Sequence, residues 1–176
     1  MLFRSRFHVN WTESVQYDIR RSAYHAFSPN NDPTGQATHF VNTVKASGGD
    51  WDFPLVLDVE LRPIVPADVL DCLLTIESMI GQRPIIYTGV AVWNEIGGVS
   101  WAKDYPLWIA QYPLQADGTQ YGHWDEMPLG SEPRLPNDWA NWAIWQFSSK
   151  GDGNANGTQS ASLDLNYVNE IGRAHV

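Results

Sequence analysis

The segment Pro54-Leu55-Val56-Leu57-Asp58-Val59-Glu60 constrains this chain more than any other. Pro54 to Val59 is an apolar run of strand length, broken only by Asp58. Strands buried on both faces read this way, and they belong to parallel sheets covered by helices. The neighbouring segments agree. Asp32-Pro33 is a helix N-cap followed by proline in the first turn. Ala37, Phe40, Val41 and Val44 then fall at i, i+3, i+4 and i+7, and Gly48-Gly49 ends the helix. A second helix is expected from Pro66 to Ile80, with Val69, Leu70, Leu73, Leu74 and Ile76 inward and Gly81 at its end. Further strands are expected at 22–27, 84–88, 107–112 and 142–147, and further helices at 11–21 and 90–96. Residues 113–138 and 148–162 read as polar, glycine-containing loops. Strand and helix alternate, which predicts a parallel α/β sheet with its chemistry at the C-terminal strand ends. Five or six strands are too few to close an eight-stranded barrel. The expectation is an irregular, incomplete (β/α) barrel of TIM type.

Composition narrows the function. A chain of 176 residues, 43% of them hydrophobic, suffices for one domain with a core. A formal charge of −9 argues against nucleic acid as a partner, since phosphate binding needs a basic surface. No apolar run reaches the roughly 20 residues of a membrane helix, and Met1 to Ser5 hold no apolar stretch of signal-peptide length. The single cysteine, Cys72, lies in an apolar run and reads as a buried structural thiol. Nine tryptophans and seven tyrosines suit either a core or a sugar-stacking surface.

Both ends look foreign. Met1-Leu2-Phe3-Arg4-Ser5 and Ile171-Gly172-Arg173-Ala174-His175-Val176 match translations of a common sequencing adapter in its two orientations. The expectation is a natural domain over residues 6–169, with 1–5 and 170–176 as non-native additions.

Asp58 and Glu60 carry the candidate chemistry. In a strand, residues i and i+2 share a face, roughly 6–7 Å apart at Cα. Glycosidases use such a pair, one carboxyl protonated as acid and its neighbour ionised. Glu60 has the longer reach and sits at the strand end, which assigns it general acid. Asp58 then orients substrate or stabilises positive charge. Taken alone, Asp-x-Glu is a short pattern, equally compatible with a chance pair or a magnesium site.

A series of motifs in order strengthens it. Ala23-Tyr24-His25-Ala26-Phe27-Ser28-Pro29, Asp32-Pro33 through Gln36-Ala37 and Phe40, Pro54 to Glu60, and Pro84 to Thr88 come first. Leu107-Trp108-Ile109-Ala110-Gln111-Tyr112, Trp145-Gln146-Phe147-Ser148-Ser149 and Leu163-Asp164-Leu165-Asn166 follow. Together they resemble glycoside hydrolase family 25, the lysozymes that cut between N-acetylmuramic acid and N-acetylglucosamine, over about residues 7 to 168. The resemblance implies a retaining enzyme acting on the peptidoglycan glycan strand of a cell wall, as a secreted or phage-released monomer without cofactor or metal. It implies Glu60 as acid/base, with Asp58 and Asp164 as the other catalytic carboxylates. Tyr24, Tyr87, Trp108 and Tyr112 would line the sugar groove, and His25, Phe27, Gln111 and Gln146 complete the expected substrate-binding set. The nucleophile, a carboxylate or the substrate's own acetamido group, stays open. The family's first strand ends in an Asp-x-Ser motif that nothing before Tyr24 matches. Arg6 to Trp11 resembles the helix after the second strand. Two strands and one helix are therefore expected to be missing, leaving an open barrel with weak or no activity.

Two other readings compete. A zinc amidase needs about three clustered ligands, but His8, His25, His39, His123 and His175 show no ligand spacing. A non-catalytic glycan-binding module would keep the aromatic groove without needing the acidic pair.

Overall fold

The computed structural model describes residues 6–169, so the adapter-like ends fall outside the described residues. The fold is mixed α/β, with four α-helices and six strands among the described residues. It divides into two compact units, one ending at Ile86 and the other starting at Tyr87.

The first unit begins with α1 (Arg6–Gln16). Phe7 stacks on Trp11 one turn later, and Trp11 is buried. The sequence suggests a helix over 11–21, but α1 starts earlier and ends earlier. Asp18 takes a left-handed φ of 54°, and Ile19 N–H donates to Ser14 O at 3.1 Å, a closure that stops a helix. Arg21 lies over the Trp11 ring and its side chain donates to Trp11 O.

Strand β1 (Tyr24–Ala26) pairs parallel with β2 (Val56–Asp58), in the register Tyr24↔Val56, His25↔Leu57, Ala26↔Asp58. Ile85 N–H, at the start of β3 (Ile85–Gly89), donates to Leu55 O at 2.9 Å. Helices α2 (Pro33–Ala46) and α3 (Pro66–Ile80) pack on each other. Asp32 caps α2 as expected, its carboxylate accepting from Gly35 N–H. Ala37, Phe40, Val41 and Val44 are all buried. Helix α3 runs between the expected bounds and ends on Gly81 in the left-handed conformation. Its buried stripe is Val69, Cys72, Leu73 and Ile76, whereas Leu74, expected inward, is 49% exposed. The stripe follows i, i+3, i+4, i+7 from Val69, which puts Cys72 where Leu74 was expected. Cys72 is the structural thiol foreseen: burial pushes its pKa up to about 12.

In the second unit α4 (Val90–Ile96) spans the expected helix. Strand β4 (Leu107–Ala110) runs parallel to β5 (Ile144–Asp152). Strand β6 (Ser162–Val168) is antiparallel to β5, which departs from the all-parallel expectation. The expected loop over 148–162 is thus largely the arms and turn of this hairpin. Glycine makes it possible: a Cβ at Gly151 would come within 2.5 Å of Leu165, and one at Gly153 within 2.0 Å of Ser160 O. The glycines that read as loop markers are close-approach positions in a bulged ladder.

Tryptophan fills this unit's core. Trp93 is fully buried and packs edge-on against Trp139 and Trp101, at 4.6 and 5.9 Å between centroids. Its indole N–H donates to Asp138 Oδ2 at 2.8 Å, while Asp138 Oδ1 accepts from Val99 N–H. One loop carboxylate thereby satisfies both a buried ring and a backbone amide. Asp138→Ala is expected to cost about 1–3 kcal/mol, because a buried donor loses its acceptor. A chemical denaturation midpoint unchanged in Asp138→Ala would refute this role.

Candidate active site

In the first unit the β1–β2 register decides which side chains share the face of Asp58. Parallel partners point the same way, and alternate residues point to opposite faces. Tyr24, Ala26, Val56 and Asp58 therefore lie on one face; His25, Leu57 and Phe27 lie on the other. Alternation persists past the strand end: Val59 is fully buried, whereas Asp58 and Glu60 are half-exposed. Tyr24 is 70% exposed on the Asp58 face. Phe27 is 1% exposed and belongs to the core, so it offers no ring face to a sugar here.

His25 sits on the helix side, stacked on Phe40 with centroids 5.4 Å apart. Its Nε2 meets Gln36 Oε1 at 3.1 Å. Gln36 is itself fixed, because Oε1 also accepts from Ser28 N–H while Nε2 donates to Ser28 O and Asn31 O. Nε2 of His25 is consequently the protonated nitrogen, and Nδ1 is left as acceptor. Burial lowers the His25 pKa; the Gln36 hydrogen bond opposes this and the nearby His39 adds to it. Gln36 lies within a motif singled out in the sequence, where it has no assigned role. Its signal was a polar residue one turn before Phe40 on a buried helical stripe.

Electrostatics single out the acidic pair. Burial pushes the Asp58 pKa up to about 6, and the charge of Glu60 pushes it the same way. Burial also raises Glu60, opposed by the Arg62 cation. Two carboxyls that each resist ionisation titrate as a pair, so between their apparent pKa values one proton serves both. No group of three or more His, Cys, Asp or Glu side chains among the described residues is placed to hold a metal ion.

The second unit carries the other expected residues, and β4–β5–β6 register places most of them on one face. Trp108 pairs with Ile144, Ala110 with Gln146, and Gln146 with Asn166. Asp164, exposed and two residues before Asn166 on β6, shares that face. Gln146 is 3% exposed, and its Oε1 accepts from Tyr87 O–H at 2.6 Å and Tyr112 O–H at 2.9 Å. Trp108 donates through Nε1 to Asn166 Oδ1 at 2.9 Å and meets the Tyr87 ring edge-on at 5.2 Å. Gln146 thus ties Tyr112 to Tyr87, and Tyr87 in turn meets Trp108. Gln111 is tied into the loop, its side-chain oxygen accepting from Arg134 N–H and its backbone oxygen from Trp145 Nε1. Asn166 lay within a motif that sequence reading singled out, but no role was read for it.

Comparison with known proteins gives a consistent relationship. The model of the family "Glycosyl hydrolases family 25" matches residues 3–156. The uncharacterized protein YegX of Escherichia coli K12 is 35% identical over 150 residues, covering 82% of this chain and 47% of that protein. Lysozyme M1 of Streptomyces globisporus is 28% identical over 184 residues, covering 93% of this chain and 54% of that protein. The chain spans about half the length of these curated relatives. Among solved structures, the lysozyme of Streptomyces coelicolor superposes with a TM-score of 0.71 at 24% identity, covering 97% of this chain and 77% of that one. A family GH25 lysozyme from Aspergillus fumigatus gives 0.69 at 23% identity, covering 97% and 78%. At these identities the structural likeness establishes the shared fold.

The Asp58 shift fixes a pH dependence. A carboxyl whose folded pKa lies above its unfolded value favours the folded state while protonated. That contribution is full below about pH 4 and is lost as pH rises through about 6. For a half-exposed group, solvent screening reduces the contribution to on the order of 1 kcal/mol. Wild-type stability relative to Asp58→Asn is therefore expected to fall between pH 4 and 6.5 in urea titrations; a constant difference would contradict it.

Proposed function

The chain belongs to glycosyl hydrolases family 25, and from this we propose that it is a muramidase, hydrolysing the β-1,4 bond between N-acetylmuramic acid and N-acetylglucosamine in peptidoglycan with net retention. The observation that carries the reading is the pair Asp58 and Glu60, two half-buried carboxyls at one strand end, both with raised pKa. A glycosidic oxygen is a poor leaving group until protonated, so the enzyme must hold a proton at a pH where free carboxylates have lost theirs. Burial raises both carboxyls, and the charge of Glu60 raises Asp58 further. Glu60 delivers the proton by its longer side chain, and ionised Asp58 then stabilises the positive charge developing on the sugar ring. Asp164 is proposed as the third carboxylate of the reaction. Tyr24, Tyr87, Trp108 and Tyr112 are proposed sugar-contacting residues. For the whole protein, the helix–strand alternation and the family support an irregular barrel of TIM type, to which these six strands contribute. Residues 6–169 are proposed as its catalytic domain, and residues 1–5 and 170–176 as non-native. The enzyme is proposed to act as a monomer on the cell wall.

The test is release of reducing ends from purified peptidoglycan, an assay that registers slow turnover. Glu60→Gln keeps the shape of the side chain and removes the acid, so it is expected to lower kcat at least 100-fold with KM little changed. Turnover by Glu60→Gln at the parent rate would reject the assignment. Wall binding by both forms with turnover by neither would favour a binding module instead.

A further inference from the structure

Trp108 and Asn166 stand on strands that are not neighbours. Strand β5 lies between β4 and β6, so the two backbones are roughly 10 Å apart, two strand spacings. Trp108 Nε1–H nevertheless donates to Asn166 Oδ1 at 2.9 Å. The bond closes that gap only with both side chains leaning toward each other over β5. Register gives the direction of the lean. Trp108 sits in the row of Ile144 and Val168, whereas Asn166 sits in the next row, with Ala110 and Gln146. That row is nearer the C-terminal ends of β4 and β5, and Asp164 lies further the same way on the same face. Asn166 therefore draws the indole toward the strand ends where Asp164 stands. Tyr87 of β3 meets the ring edge-on at 5.2 Å, so the indole is held at two points. An indole has one polar proton, and this one is given to Asn166. Half-buried Trp108 thus offers a ligand its ring face and no donor.

From this we propose that Asn166 is a positioning residue for sugar binding: by holding Nε1–H it fixes Trp108 as a stacking platform beside Asp164. The platform takes the C–H face of a pyranose ring, the apolar side that an aromatic face can cover. Asn166 itself touches no sugar in this arrangement and acts through the indole. Fixing the ring before a sugar arrives spares the cost of ordering it on binding. The contribution falls on affinity, because stacking is the same before and during bond cleavage. The proposal rests on the reading of the chain as a peptidoglycan-cutting enzyme and adds to it how one wall of the groove is held in place. Asn166 is exposed, so replacing it leaves the core untouched.

The experiment measures binding of tri-N-acetylglucosamine to the full chain by calorimetry, beside release of reducing ends from purified peptidoglycan. Asn166→Ala is expected to weaken binding about three- to tenfold, the worth of one neutral hydrogen bond. Asn166→Asp keeps an acceptor for the indole and is expected to restore affinity to within about twofold of wild type. Trp108→Phe keeps an aromatic face and removes the N–H. In that background Asn166→Ala is expected to change affinity less than about 1.5-fold, because the bond through which it acts is already gone. Equal affinity of wild type and Asn166→Ala overturns the proposal. So does the same loss from Asn166→Ala in the Trp108→Phe background, which would mean that Asn166 acts without the indole. Where Trp108→Phe binds too weakly to measure, the aspartate variant decides: affinity as low as that of Asn166→Ala overturns the proposal. Absence of trisaccharide binding by wild type also overturns it. In each of these cases the muramidase reading stands if wild type releases reducing ends and falls if it releases none.

Discussion

The burial of strand β2 is the constraint on which the chemistry depends. Leu55, Leu57 and Val59 have no solvent exposure and Val56 has almost none. A strand enclosed in this way is a low-dielectric support, and any carboxyl at its end pays part of the cost of leaving water. Asp58 and Glu60 stand at the boundary where the strand meets solvent. Deeper in the strand they would be locked neutral; further along the following loop they would ionise as ordinary surface acids. Helices α2 and α3 contribute indirectly: Phe40 of α2 stacks on His25 of β1, and the two helices pack on each other with Val41, Val44, Leu73 and Ile76 buried.

The second unit solves a different problem. Aromatic side chains bury much apolar area, but each indole brings one N–H that must find an acceptor. Here Trp93 donates to Asp138, Trp139 to Tyr105 O, Trp142 to Glu132 and Trp145 to Gln111 O. Two of those acceptors are carboxylates from the long segment 113–138, which reads in the sequence as a polar, glycine-containing loop. That segment is part of how a tryptophan core stays satisfied. Trp108 follows the same rule at the surface, with Asn166 as its acceptor.

This division explains what the sequence made legible. Helices α2, α3 and α4 could be read because their signals are local: a capping aspartate, a proline in the first turn, an apolar stripe, a closing glycine. The β5–β6 hairpin could not, because Gly151 and Gly153 look the same whether they mark a loop or a close approach between strands. The acidic pair was readable from a period of two over three residues. The opposite placement of His25 and Phe27 follows from the same period, but only once the register between β1 and β2 ties Ala26 to Asp58. Gln36, Gln146 and Asn166 act as acceptors for side chains distant in sequence, and no spacing rule announces such partners.

The two carboxyls also differ in a way that their spacing does not reveal. Both influences on Asp58 raise its pKa, whereas at Glu60 the Arg62 cation works against burial. By electrostatics alone, Asp58 is the better place to keep a proton and Glu60 the easier place to lose one. The proposed role of Glu60 as donor therefore rests on its longer reach and on the family, and runs against this electrostatic order. An acid is effective when its proton is held at the working pH and yet released readily in the transition state. In the proposed reaction Glu60 carries the proton and Asp58 the charge, and Asp58 is the member for which that charge costs most in the resting enzyme. In the same proposed reaction, a positive charge developing on the sugar offsets that cost as the bond breaks. Under that proposal the cost of a carboxylate at Asp58 falls in the transition state and not in the ground state, which is the condition for a buried charge to accelerate a reaction.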